Sequence, residues 1–142
     1  MFLELGVSTC LLLAAVAIHG VGLGIIALFV KRELQQEQHE HLPPLSLRSV
    51  GLTSGIVLGL TTLHGIEIWG YALFYLVVGA LPDLRTAVYL STMAYTTVGA
   101  SGLGRREGWE MVAAIEGING VILLGWSTAF FVMVISRLGQ QR

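Results

Sequence analysis

Between two very apolar stretches lies Tyr89-Leu-Ser-Thr-Met-Ala-Tyr-Thr-Thr-Val-Gly-Ala-Ser-Gly102, a helix-prone run that passes into hydroxyl, β-branched and small residues. Ala87 to Tyr95 predicts a short helix, Thr96 to Val98 favour extended backbone, and Gly99 permits positive φ. Extended backbone inside a bilayer leaves carbonyls without partners, which is tolerated only where they face buried protein or a water-filled cavity. Carbonyls gathered in such a place can replace the hydration shell of a monovalent cation. Leu81-Pro82-Asp83 precedes the run. Asp83 is placed to cap the helix, which aims the partial negative charge of its carboxyl end at Thr96 and Thr97.

These residues carry a resemblance. Thr96-Thr97-Val98-Gly99 resembles the first four residues of the Thr-Thr-Val-Gly-Tyr-Gly-Asp filter signature of the potassium-channel superfamily. The context is similar to small bacterial ion-channel proteins with a single pore loop: Leu81-Pro82-Asp83, Trp109, Ala114-Ile-Glu-Gly-Ile-Asn-Gly120 and Gly125-Trp-Ser-Thr-Ala129, within a match from about His64 to Leu138. One loop cannot encircle an ion, so the resemblance implies a homotetramer about a central axis. It implies K+ or Na+ held at Thr97, Val98 and Gly99, with Ala100 next in the filter. Thr96, Ser101 and Glu116 are expected to support the filter, Glu116 as a brace bonded to the pore helix rather than an ion site. Gly117 and Gly120 fall where the superfamily bends its inner helix to open the gate. Here Ala100-Ser101-Gly102 replaces Tyr-Gly-Asp. A methyl group cannot prop the filter as the family's Tyr does, and Ser101 sits where a second glycine takes positive φ. The outer filter is expected to be looser and K+ selectivity weaker.

Other ionisable side chains lie in apolar surroundings, where they are by default functional or paired. His19 is one. His64 and Glu67 are three apart, so they share a helix face and can bond to one another or to a neighbouring helix. Structural pairing, a proton or gating sensor, and a metal ligand all fit this pair. His39-Glu40-His41 lacks a third ligand at helical spacing and reads as a solvated loop. Arg105 and Arg106, at the outer vestibule, can pair with Glu107 and Glu110. Cys10 is alone and reads as a small apolar residue, which leaves no disulfide framework. Gly125-Trp-Ser-Thr-Ala129 mimics a nucleophile elbow in letters, yet no strand precedes Ser127, and no catalytic group set assembles. The chain is therefore expected not to be an enzyme.

The elements that must position these residues follow from composition. Of 142 residues, 54% are hydrophobic and 12% charged, with a mean hydropathy of +0.76. That is too apolar for a soluble domain of this size. A net charge of -1 provides no basic field for nucleic acid. Val7 to Val30, Leu52 to Leu81 and Trp109 to Ile135 are each long enough to cross a hydrocarbon core of about 30 Å. Glu4, and the lack of basic residues before the first span, argue against a secretory signal. Glycine spacing at Gly20 and Gly24, and at Gly51, Gly55 and Gly59, predicts close helix packing.

The expected architecture is an all-α membrane protein, with three transmembrane helices and a re-entrant pore helix and filter between the second and third. Its parts are a first helix over 1–31, a cytoplasmic connector over 32–49 and a pore domain over 50–142. The pore domain divides into an outer helix (50–81), pore helix and filter (83–104) and inner helix (108–138). Lys31, Arg32, Arg48, Arg137 and Arg142 flank one side against Arg85, Arg105 and Arg106 on the other. That bias puts the amino terminus and pore loop outside, in a cell membrane of the bacterial inner type. The expected function is monovalent cation conduction, with membrane lipid and the permeant ion as partners and no other cofactor. Two readings compete: a non-conducting channel-like partner subunit, and a membrane protein holding haem through His19 and His64.

Overall fold

A computed structural model describes residues 1–37, 47–99 and 109–140. Four helices account for nearly all of them: α1 (Phe2–Glu37), α2 (Leu47–Val77), α3 (Leu84–Tyr95) and α4 (Glu110–Gln140). Three are long and apolar enough to cross a membrane, over Phe2–Glu33, Val50–Val77 and Glu110–Arg137. Their outward faces carry large apolar side chains such as Leu28, Leu58, Ile118 and Val132. Water would penalise such a surface, whereas hydrocarbon accepts it.

The element boundaries differ from those expected, for local reasons. α1 runs on through Glu37, since nothing from Lys31 to Glu37 breaks a helix. α2 stops at Val77, four residues before the expected Leu81. Gly79 takes φ 66°, Gly79 N donates to Leu76 O at 3.0 Å and Ala80 N to Tyr75 O at 2.9 Å. This is a Schellman motif, with the left-handed residue just past the helix and Pro82 three further on. Asp83 caps α3 as expected: Oδ1 accepts from Thr86 N at 2.9 Å and Oδ2 from the Thr86 hydroxyl at 2.7 Å.

α1 runs antiparallel to α2. A Cβ placed on Gly22 would collide with the Leu63 side chain, and one on Gly59 would lie 3.3 Å from Ile26 Cδ1. α1 also lies along α4, where Gly20 meets Trp126. Gly24, Gly51 and Gly55, expected in close-packing faces, meet nothing within 4 Å among the described residues.

α1 packs against both α2 and α4, α3 also packs against both, and α2 and α4 touch each other little. Two apolar clusters result. One gathers Tyr71, Tyr75, Leu90, Tyr95, Val112 and Leu123 around α3. The other gathers Leu23, Val30, Ile56, Leu63, Phe130 and Val134. His19, Glu67 and Ser127 are buried at the level between them.

Candidate functional site

The path of the chain around α3 comes first. α3 runs back along α2: the Ser91 hydroxyl donates to Ile68 O at 2.8 Å, and one turn later the Tyr95 hydroxyl donates to Glu67 Oε2. At its carboxyl end α3 lies on α4. A Cβ on Gly117 would stand 3.0 Å from Ala94 O, and one on Gly120 would overlap Tyr95 O. Trp109, where α4 is about to begin, packs edge-on against Phe74 near the end of α2, with centroids 5.2 Å apart. Trp109 and the start of α3 thus lie near the same end of the α2/α4 pair.

The turn after α3 is not the extended strand expected from Thr96 and Thr97. Thr96 caps the helix at φ -84°, ψ 2°, and its hydroxyl donates to Thr92 O at 2.7 Å. Thr97 has φ 60° and Gly99 φ 81°. Thr97 N donates to Ala94 O at 2.9 Å and Gly99 N to Met93 O at 3.1 Å, so the helix's last carbonyls draw the chain back and override β-branched preference. Val98 projects outward, 68% exposed. Beside the turn lies an open groove of about 640 Å3, lined by Ala94, Thr97 and Gly99 on one side and Ala114, Gly117, Ile118 and Val121 of α4 on the other. Ala100, Ser101, Arg105, Arg106 and Glu107 lie outside the described residues, as do His39 to His41.

Glu116 is fully buried. It accepts from the Tyr75 hydroxyl of α2 at 2.8 Å and lies in hydrogen-bond contact with the Ser91 hydroxyl of α3. The carboxylate therefore ties three helices together and lies beside α3. α4 is continuous through Gly117 and Gly120; what those two glycines provide is room for the end of α3. One turn on from Glu116, Asn119 Nδ2 donates to the Tyr71 hydroxyl at 3.1 Å.

The second polar constellation draws on all four helices. His19 Nδ1 is 2.8 Å from Glu67 Oε1. His64 Nδ1 is 3.2 Å from Glu67 Oε2 and 2.8 Å from the Tyr95 hydroxyl. On the far side of both rings, Ser127 Oγ lies 3.3 Å from His19 Nε2 and 3.0 Å from His64 Nε2. Trp126 closes over His19, with centroids 5.4 Å apart. The two imidazoles meet the same carboxylate and the same hydroxyl, so they stand side by side rather than on opposite faces of a plane. No haem fits between them.

Of these residues, the His64 and Glu67 pair was visible in the sequence through its spacing. Tyr95 and Ser127 were not singled out for this role. The available signal was the rule that buried ionisable groups seek partners, which asks where His19, His64 and Glu67 meet. Compared with protein-family models, curated proteins and solved structures, the chain matches none.

Proposed function

We propose that the chain is a monovalent cation channel of the potassium-channel type, built from four copies around a central axis and weakly selective for K+. The observation that carries this reading is the depth at which α3 ends against α4. α3 ends against Gly120, ten residues into α4 from Glu110, a depth of about 15 Å at 1.5 Å per residue. Beyond α3 the chain turns at Thr97 and Gly99 beside an open groove, and Trp109 lies against Phe74 near the end of α2. That arrangement suits a re-entrant pore helix, whose carboxyl end lowers the potential energy of a cation in front of it.

Three further features support it. Thr97 is a β-branched residue at positive φ, a strained state that persists where surrounding structure enforces it, often at functional positions. Positive φ at Thr97 and Gly99, with their amides bonded back to Ala94 O and Met93 O, holds this segment as a tight turn at the carboxyl end of α3. Finally, Thr97, Gly99 and the small-residue face of α4 are open in a single chain, which leaves a surface for copies to close around an axis. In this reading Thr97, Val98, Gly99 and Ala100 hold the ion, Thr96, Ser101 and Glu116 support them, and the loop faces the outside of a cell membrane.

Reconstitution into liposomes tests the proposal. The expected outcome is flux down both K+ and Na+ gradients, with a modest preference for K+ that rises when Ala100→Tyr and Ser101→Gly are introduced together. Intact tetramers that pass neither ion would overturn conduction, and an unchanged ion preference would overturn the account of the outer filter.

A further inference from the structure

The junction of the four helices brings more strong donors together than packing requires. His19 and Glu67 are fully buried and the His64 side chain is 14% exposed. One ligand atom from each lies within 4.8 Å of the other two, and the Tyr95 oxygen touches both His64 and Glu67. We propose that His19 Nδ1, His64 Nδ1 and the Glu67 carboxylate bind one divalent transition-metal ion of the zinc type, with the Tyr95 oxygen as fourth ligand.

The donor set argues first. Two imidazoles and a carboxylate suit zinc and its first-row neighbours, whereas calcium and magnesium prefer oxygen throughout. Distances argue next. Ligand atoms about 2.0 to 2.2 Å from a tetrahedral ion stand roughly 3.3 to 3.6 Å from one another. The 2.8 Å contact of His19 Nδ1 with Glu67 Oε1 must open by about 0.5 to 0.8 Å and the 3.2 Å contact of His64 Nδ1 with Oε2 by about 0.1 to 0.4 Å, while the Tyr95–Glu67 contact must open furthest.

Proton placement is the most specific argument. With no ion and an ionised Glu67, each Nδ1 faces an acceptor and must carry the ring proton. Both Nε2 lone pairs then face Ser127 Oγ, whose single proton serves only one of them. An ion on the two Nδ1 atoms reverses the tautomers. Both rings carry the proton on Nε2 and donate it to the two lone pairs of Ser127, the outer support that metal-bound histidines commonly have. The ion also balances a carboxylate that would otherwise be costly inside an apolar bundle.

A single extra proton, giving an imidazolium, is the rival way to complete the network, and the test separates the two. The full chain is expressed with zinc supplementation, purified in detergent without chelator and assayed for metal by plasma emission. It is then exchanged with cobalt(II) and examined in the visible range. The expected result is about one zinc per chain and the visible bands of four-coordinate cobalt. Glu67→Gln and His19→Gln lose both, and Ser127→Ala keeps the ligands but binds about 10- to 100-fold more weakly. Circular dichroism and elution volume identify any variant that has misfolded, and Ser127→Ala serves where the ligand variants do. A folded wild-type protein with neither zinc nor cobalt bands would overturn the site and leave the proton in its place. Both readouts are independent of ion flux, so they fail or succeed apart from the channel proposal.

Discussion

Gly120 shows how much a single missing Cβ decides. In Gly120→Ala the new methyl group meets the Tyr95 carbonyl, which belongs to a helix end and cannot turn aside as a side chain would. Overpacking of this kind costs about 1–3 kcal/mol, and here it also lifts α3 off α4. Gly51→Ala meets nothing among the described residues and should leave the melting temperature of the dissociated chain unchanged or somewhat raised, since Ala favours helix over Gly. Thermal unfolding of the two variants in detergent checks the contrast: equal melting temperatures would mean that α3 is not seated on Gly120. From the sequence, Gly117 and Gly120 read as a flexible point in a helix. Their use as a seat for another backbone depends on a contact some twenty-five residues away in the chain, which spacing within α4 does not encode. For the same reason the His64 and Glu67 pairing was visible, being local, while the reach of Glu67 to His19 and Tyr95 was not.

At the scale of elements, α3 is the part most dependent on its own ends. Its start rests on Asp83, whose carboxyl is held below its usual value of 3.8 chiefly by the backbone amide of Thr86, with the Thr86 hydroxyl adding to it. A depressed value in the folded state means that the contribution is present above the unfolded value and is lost as pH falls through the folded one. Below about pH 4, therefore, the wild type should lose more thermal stability than Asp83→Asn, which caps without titrating. Melting curves of both proteins at a series of acidic pH values give the comparison, and parallel loss would show that the cap carries no pH dependence. The residue is exposed, so the difference should be small. This element was legible because Pro82, Asp83 and the helix-forming run after them are local signals. The end of α2 was misread because Gly79 was weighed as one more apolar-span residue instead of a left-handed stop with a proline beyond it. The Thr96-Thr97 turn was misread because propensity favoured a strand, while the free carbonyls of α3 offered stronger partners.

Across the whole molecule, the three long helices were legible from hydropathy alone, and their mutual arrangement was not. Hydropathy alone does not say what α1 packs against. It packs against both α2 and α4, which touch each other little, and it supplies His19 to the buried polar level. The bundle therefore consists of an apolar half around α3 and an apolar half around α1, with the His and Glu residues where the halves meet. A protein built this way needs every helix present before its polar side chains are sheltered.

The order of synthesis gives that arrangement a temporal side. His19 leaves the ribosome well before Glu67, so a partner is already lodged in the bilayer when the carboxylate must cross the translocon. An acidic group entering lipid alone costs about 3 kcal/mol on insertion scales, enough to leave a fraction of nascent chains with the second segment stranded outside. His19→Ala should lower the share of α2 that integrates in a glycosylation-mapping assay, while the same change paired with Glu67→Gln should restore it. Equal integration in all three proteins would mean that the histidine arrives too late, or too far away, to escort its carboxylate.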